Sequence, residues 1–226
     1  MKRLLLSVAV ALCALTASAQ RTSTSSSSFF STEKSDQGVT FGIEGGLNLS
    51  SATGDLEADS RTSFNVGLAV NIPLMQSLYL KTGLYYTDKG AKEKEGTDEV
   101  SIGAGYLEIP VLASYRYDFG SGTQLQVNFG PYFAYGIAGK VKNTYYDDYE
   151  EMNYTDKYDT FGDEGLLKRF DAGLHIGTGV TIANHFYVGL GYEFGLTNAL
   201  NESLDEEFGE LSAKTSNFFV NVGYTF

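Results

Sequence analysis

Nine titratable side chains sit inside stretches where apolar residues alternate with small or polar ones: Glu44, Lys81, Glu108, Arg116, Asp118, Arg169, Asp171, His175 and Glu193. Parity along each stretch places them on the polar face. Five acids, three strong bases and an imidazole in one enclosure could neutralise one another, or they could relay a proton or an ion. Burying a lone ion costs several kcal/mol, so pairing is the default and a conducting path is the alternative. Catalysis has less to draw on. The chain has two His and one Cys, and no His has a Ser and an acid beside it in the arrangement that activates a nucleophile. No His/Cys spacing suits a metal, and Gly177-Thr178-Gly179 and Gly189-Leu190-Gly191 fall short of a dinucleotide fingerprint. No cofactor and no metal are expected.

A second group is built for contact. Tyr145, Tyr146, Asp147, Asp148, Tyr149, Glu150, Tyr154 and Tyr158 crowd into one segment. Tyrosine offers a large contact area at low entropic cost, which suits a surface protein or a glycan. The acids of the segment could also take Ca²⁺, a cation that prefers oxygen ligands. A plainly solvated loop would have the same composition.

The elements that must position these residues repeat every two residues. Val39, Phe41, Ile43, Leu47 and Leu49 form one face of the first run, and Phe64, Val66, Leu68, Val70 and Ile72 one face of the second. The pattern recurs near 78–87, 105–119, 124–138, 168–182, 186–197 and 217–226. Strict alternation predicts eight half-apolar strands. Three observations turn the apolar face toward lipid. Connections near 73–77, 120–123 and 183–185 are short, whereas those at 50–63, 88–100, 140–166 and 197–215 are long, as in outer-membrane barrels. The four long connections hold 21 of the 28 acidic residues. Aromatics gather at strand ends in two sets. Tyr115, Tyr117, Phe119, Phe186, Tyr224 and Phe226 form one, and Phe64, Tyr86, Tyr135, Phe170, Phe194 and Phe218 the other, as bilayer interfaces select. Inward Gly67, Gly83, Gly173, Gly177, Gly189 and Gly191 would make room for Tyr79, Tyr85, Tyr132 and Tyr187. Pro110 and Pro131, which remove ladder donors, predict bulges or bends.

Composition agrees. The 226 residues include 26 Gly, 16 Tyr and 15 Phe, with a net charge of −12. That surplus of acid excludes nucleic acid as a partner. Lys2 and Arg3, an apolar run and Ala17-Ser18-Ala19 predict a signal peptide over 1–19, with Cys13 discarded in it. Residues 20–38 read as a Ser-rich flexible periplasmic tail, and 39–226 as the barrel domain. An even strand number with short turns on one side places both termini in the periplasm. The last strand ends on Tyr224 and Phe226, which looks like the signal that delivers barrels to the assembly machinery.

Tyr106-Leu107-Glu108-Ile109-Pro110-Val111-Leu112 resembles a strand of the small outer-membrane barrels of Bacteroidetes, the porin or PorT family. The segments Gly130-Pro131-Tyr132-Phe133-Ala134-Tyr135, Phe170-Asp171-Ala172-Gly173-Leu174 and Gly191-Tyr192-Glu193-Phe194-Gly195 resemble its later strands. The resemblance implies an eight-stranded barrel in the outer membrane and no shared activity. The expected protein is all-β: an eight-stranded antiparallel up-and-down barrel with a polar, plugged lumen. It meets outer-membrane lipid outside and a surface protein or glycan through its loops. The expected function is a non-enzymatic scaffold or surface contact, with a narrow channel for small solutes as the alternative and a lipid-modifying enzyme third.

Overall fold

The computed structural model describes residues 38–54, 58–95, 98–147, 152–162, 165–201 and 212–226. The expected signal and most of the expected tail lie outside that set, as do Asp148, Tyr149 and Glu150. Nine strands and no helix occur among the described residues: β1 Thr40–Gly54, β2 Asp59–Pro73, β3 Leu78–Glu95, β4 Asp98–Asp118, β5 Gln124–Asp147, β6 Met152–Asp159, β7 Phe170–Ile182, β8 Phe186–Gly195 and β9 Ala213–Thr225.

Eight of them close a ring. Each pairs antiparallel with its neighbours in the order β1-β2-β3-β4-β5-β7-β8-β9, and β9 returns to β1 through Ile43↔Tyr224 and Leu47↔Val220. Closure satisfies every ladder, which a sheet surrounded by hydrocarbon requires. The ninth strand, β6, folds back on the far half of β5 from Lys140↔Asp159 to Asp147↔Met152.

Alternation decides the two surfaces. Asn48, Asn65, Gln126, Asn128, Asn217 and Asn221 are buried inside the ring. Phe41, Leu47, Leu68, Phe129, Val188, Val222 and many like them are exposed outside it. A soluble barrel would show the reverse, and an apolar belt of this extent demands lipid. Both aromatic sets face outward at the rims: Phe119, Phe186 and Phe226 near the short turns, and Phe64, Tyr135 and Phe170 at the other end, all exposed.

The short turns have the geometry that hairpins need. Ala183 and Asn184 both have positive φ, 52° and 63°, and the His185 N–H donates to the Ile182 carbonyl. This is the primed turn whose twist matches the strands.

Two expectations need correction. The segments 50–63, 88–100 and 140–166 are largely strand rather than loop, because β1 to β5 run on past the aromatics of the long-connection end and β6 adds to them. The proline bulges are absent. Register is constant on both sides of Pro110 and through Pro131, and the slips fall at Gly105/Tyr106 and between Ser60 and Asn65. The ladder pauses at Pro110 without shifting, and the Pro110 carbonyl accepts a hydrogen bond from Thr82 Oγ1 at 2.7 Å.

Inward glycines are spaces for rings. A Cβ on Gly179 would lie 2.4 Å from the Tyr187 ring, one on Gly191 2.4 Å from Phe219, and one on Gly173 2.7 Å from Tyr132. Gly179→Val is therefore expected to lower the unfolding free energy in detergent by about 1–3 kcal/mol. The double variant Gly179→Val/Tyr187→Ala should cost less than the sum of the two single changes, measured by urea titration of the fast-migrating folded band.

Candidate functional site: a closed polar lumen

Four strands contribute the ions of the lumen centre. On β3 the inward positions run Tyr79, Lys81, Tyr85, Thr87 and Lys89, all buried. β4 brings Glu108, β7 brings Asp171 and His175, and β8 brings Glu193. The Lys89 ammonium lies 2.8 Å from Glu108 Oε2, 3.0 Å from Glu193 Oε2 and 3.9 Å from Asp171 Oδ2. Its Nζ also sits 4.2 Å above the Tyr132 ring. One cation thus holds three carboxylates, and two of them, Glu193 and Asp171, find other partners nearby. Glu193 accepts from Asn217 Nδ2 at 3.1 Å and meets His175 Nδ1 at 3.2 Å. Asp171 accepts from the hydroxyls of Tyr132, Thr197 and Thr215. Charge-assisted bonds of this kind are about twice as strong as neutral ones.

Toward the short-turn end a second pair crosses the lumen, with Lys81 Nζ 2.7 Å from Glu44 Oε1. Tyr85 donates to the same carboxylate, and the Tyr187 ring lies 4.2 Å beneath the ammonium. Between the two clusters remains a cavity of about 40 Å³ lined by Asn65, Asn128, Asn217, Tyr85 and Phe219. That volume has room for a few water molecules at most.

The two ends of the lumen differ. Phe161 and Leu167 close the long-connection end. Phe161 packs on Tyr106 at 5.4 Å in an edge-on contact and fills the space left by Gly136. Backbone bonds from Leu167 to Thr160, Lys168 to Ala199 and Asn201 to Leu166 tie this lid to the segment before β9. The short-turn end opens into a vestibule of about 350 Å³ lined by Arg116, Asn71, Tyr79, Gln126 and Tyr187. There Arg116 donates to Asn71 Oδ1 at 2.5 Å and lies 4.1 Å over the Tyr79 ring.

The nine residues singled out by parity therefore divide. Glu44, Lys81, Glu108, Asp171, His175 and Glu193 meet in the lumen and Arg116 lines its mouth. Asp118 does not join them. It ends β4, is exposed, and caps the next turn by accepting from the Gly120 N–H at 2.6 Å and Gln124 Nε2 at 3.2 Å. Arg169 precedes β7, is exposed, and donates to the Gly136 carbonyl at 2.9 Å beside the lid. Parity carries no information at strand ends, where the chain is already turning. Lys89, the hub, was missed because 88–100 read as a loop. Extending the parity of Lys81, Tyr85 and Thr87 by one step would have found it.

In the tyrosine-rich segment, Tyr145 and Tyr154 stand opposite each other across β5 and β6 and stack at 6.0 Å. Tyr158 is exposed on the same strand. Tyr146 and Asp147 occupy the β5 positions facing Asn153 and Met152. At the other end of the chain Tyr224 packs on Phe186 and Phe226 at the short-turn rim.

Removing the hub tests the arrangement. Lys89→Met keeps the length of the side chain and strands three carboxylates, so it should cost about 3–5 kcal/mol in urea unfolding. Adding Glu108→Gln should recover part of that loss.

The family comparison agrees with this fold. Residues 19–201 match the family model described as the outer membrane protein beta-barrel domain. No curated protein is matched by the sequence. Among solved structures, Ail, the attachment invasion locus protein of Yersinia pestis, is similar at 14% identity over 84% of this chain and 100% of its own, with a TM-score of 0.44. Neisserial surface protein A is similar at 13% identity over 84% and 100%, with a TM-score of 0.44. The outer membrane protein OprG from Pseudomonas aeruginosa is similar at 12% identity over 86% and 97%, with a TM-score of 0.40. With most of its length matched by the family, the chain belongs to the outer membrane protein β-barrel domain family, and its place is the outer membrane.

Proposed function

We propose that the protein is a non-conducting, non-enzymatic outer-membrane barrel that presents the extension formed by β3, β4, β5 and β6 as a contact surface outside the cell. The observation that carries this reading is the closed lumen: a lid of Phe161 and Leu167, the cluster around Lys89 and the Glu44–Lys81 pair lie in series along one axis. In this reading 1–19 is the export signal and both termini are periplasmic. The strand ending in Tyr224 and Phe226 is what the assembly machinery takes up. The resemblance to the Bacteroidetes PorT-like barrels fits the same picture. The reading is non-enzymatic because each His is engaged elsewhere. His175 bonds Glu193 deep in the lumen, and His185 bonds the Thr225 carbonyl and stacks on Tyr224 at a short turn. Tyr145, Tyr154 and Tyr158 supply contact area for a protein or glycan on a rigid sheet rather than a loop.

A narrow channel is the second reading, favoured by the vestibule that opens toward Arg116 and by closure through ion pairs, which can exchange partners. Purified protein in planar bilayers separates the two. The closed reading expects no steady current in 1 M salt. Regular open-channel steps from the wild-type protein would contradict it and support the channel.

A further inference from the structure

The extension has two unlike faces. Residues two apart on a strand share a face, and the register of β3, β4, β5 and β6 is continuous here. One row across the four strands reads Lys92, Ser101, Lys142, Lys157. The next row out reads Lys94, Glu99, Thr144, Thr155, and the row nearer the barrel reads Gly90, Gly103, Lys140, Asp159. By parity this face continues the outward wall that carries Leu84 and Tyr86. The opposite face continues the lumen side and holds Ala91, Ile102, Val141 and Tyr145.

Bases are thus gathered on one side of a chain whose net charge is −12. Lys142 stands directly opposite Lys157, an arrangement that repels unless an anion lies between them. Below them a groove of about 390 Å³ starts at the aromatic belt with Tyr86 and runs past Arg61, Lys140 and Lys142, with Asp88 and Asp159 also in its wall. Its floor is glycine. The Arg61 guanidinium lies 3.3 Å from where a Cβ on Gly90 or Gly103 would sit, so these positions leave the sheet bare for the arginine to lie flat. Arg61 pairs with Asp88 at 2.9 Å and Lys140 with Asp159 at 2.5 Å. Lys94 stands opposite Glu99, whereas among the described residues Lys92, Lys142 and Lys157 have no carboxylate partner, and all four lysines are exposed.

We propose that this face is a docking surface for the phosphate groups of outer-leaflet glycolipids. Arg61, Lys140 and Lys142 meet the phosphate nearest the hydrocarbon, and Lys92 and Lys157 meet those further out. Three features point to that occupant: the face is continuous with the lipid-facing wall, it begins at the aromatic interface belt, and its charge complements phosphate. The assignment rests on the extension lying outside the cell, as in the proposed function.

The test uses the full mature chain folded in a neutral detergent and titrated with bis-phosphorylated lipid A, with bound lipid read by native mass spectrometry. Wild type should retain the phosphorylated lipid. Retention should fall at least tenfold for K92E/K142E/K157E and when salt is raised from 0.1 to 0.5 M, and should be unchanged for K214E on β9. The milder K142Q/K157Q should fall in between, and unheated mobility on a detergent gel reports that each variant is folded. Equal retention by the triple variant, by dephosphorylated lipid A or by phosphatidylglycerol would overturn the proposal. Orientation is read separately. K142C should react with a membrane-impermeant maleimide on intact cells, and failure there overturns the outward placement while leaving phosphate recognition to stand or fall on the titration.

Discussion

A sheet that crosses hydrocarbon has no water to satisfy its backbone, so it must close on itself. Every other feature of this protein follows from that closure. Eight strands make a narrow ring, whose interior is just wide enough for side chains. The outward residues must be apolar and the inward ones, which the pleat makes polar, must satisfy one another. The inward glycines and tyrosines are one solution to the limited width, with Gly179 and Gly191 admitting the rings of Tyr187 and Phe219. The ion pairs are the other. Four carboxylates, Glu44, Glu108, Asp171 and Glu193, cannot stay charged without cations, and Lys81 and Lys89 supply them at contact distance.

The position of Lys89 shows how the membrane part and the extension are coupled. It stands on the stretch of β3 that leaves the bilayer, yet its side chain reaches the lumen centre. The strand that carries the hub therefore continues directly into the sheet that carries Lys92 and, through the ladder, Lys142 and Lys157. Burying the hub fixes the root of the extension. A sheet with one basic and one tyrosine-bearing face is a physically different object from the acidic loops expected over 88–100 and 140–166.

The barrel was legible because lipid and lumen impose opposite demands at every second residue. Phe64, Val66, Leu68 and Val70 against Asn65, Gly67, Ala69 and Asn71 leave no other reading. Beyond Ala91 both faces meet water, so the period disappears from segments such as Lys92-Glu93-Lys94-Glu95 although the strand goes on. The extension therefore leaves no periodic mark, whereas Lys89 still keeps the inward parity of Tyr85 and Thr87. The lid was hidden for a different reason. Phe161, Leu167, Leu200 and Ala213 are buried or packed together by irregular chain, with no spacing to mark them. Asp118, the last residue of β4, and Arg169, one residue before β7, show the limit of parity itself: at a ladder's end, facing is set by the turn.

In the proposed function the lumen is sealed between a vestibule open at the short turns and a lid at the long-connection end. Cysteine accessibility measures this directly, because the only cysteine of the sequence, Cys13, lies in the expected export signal. Single cysteines are placed at Thr181, which lines the vestibule, and at Asn65, which lines the central cavity. Folded protein in detergent is then exposed to a small charged thiosulfonate. The account expects Thr181→Cys to react at a rate close to that of the unfolded chain and Asn65→Cys to remain unmodified until urea unfolds the barrel. Comparable rates at the two positions would show a water-filled path past Lys81 and contradict the sealed lumen.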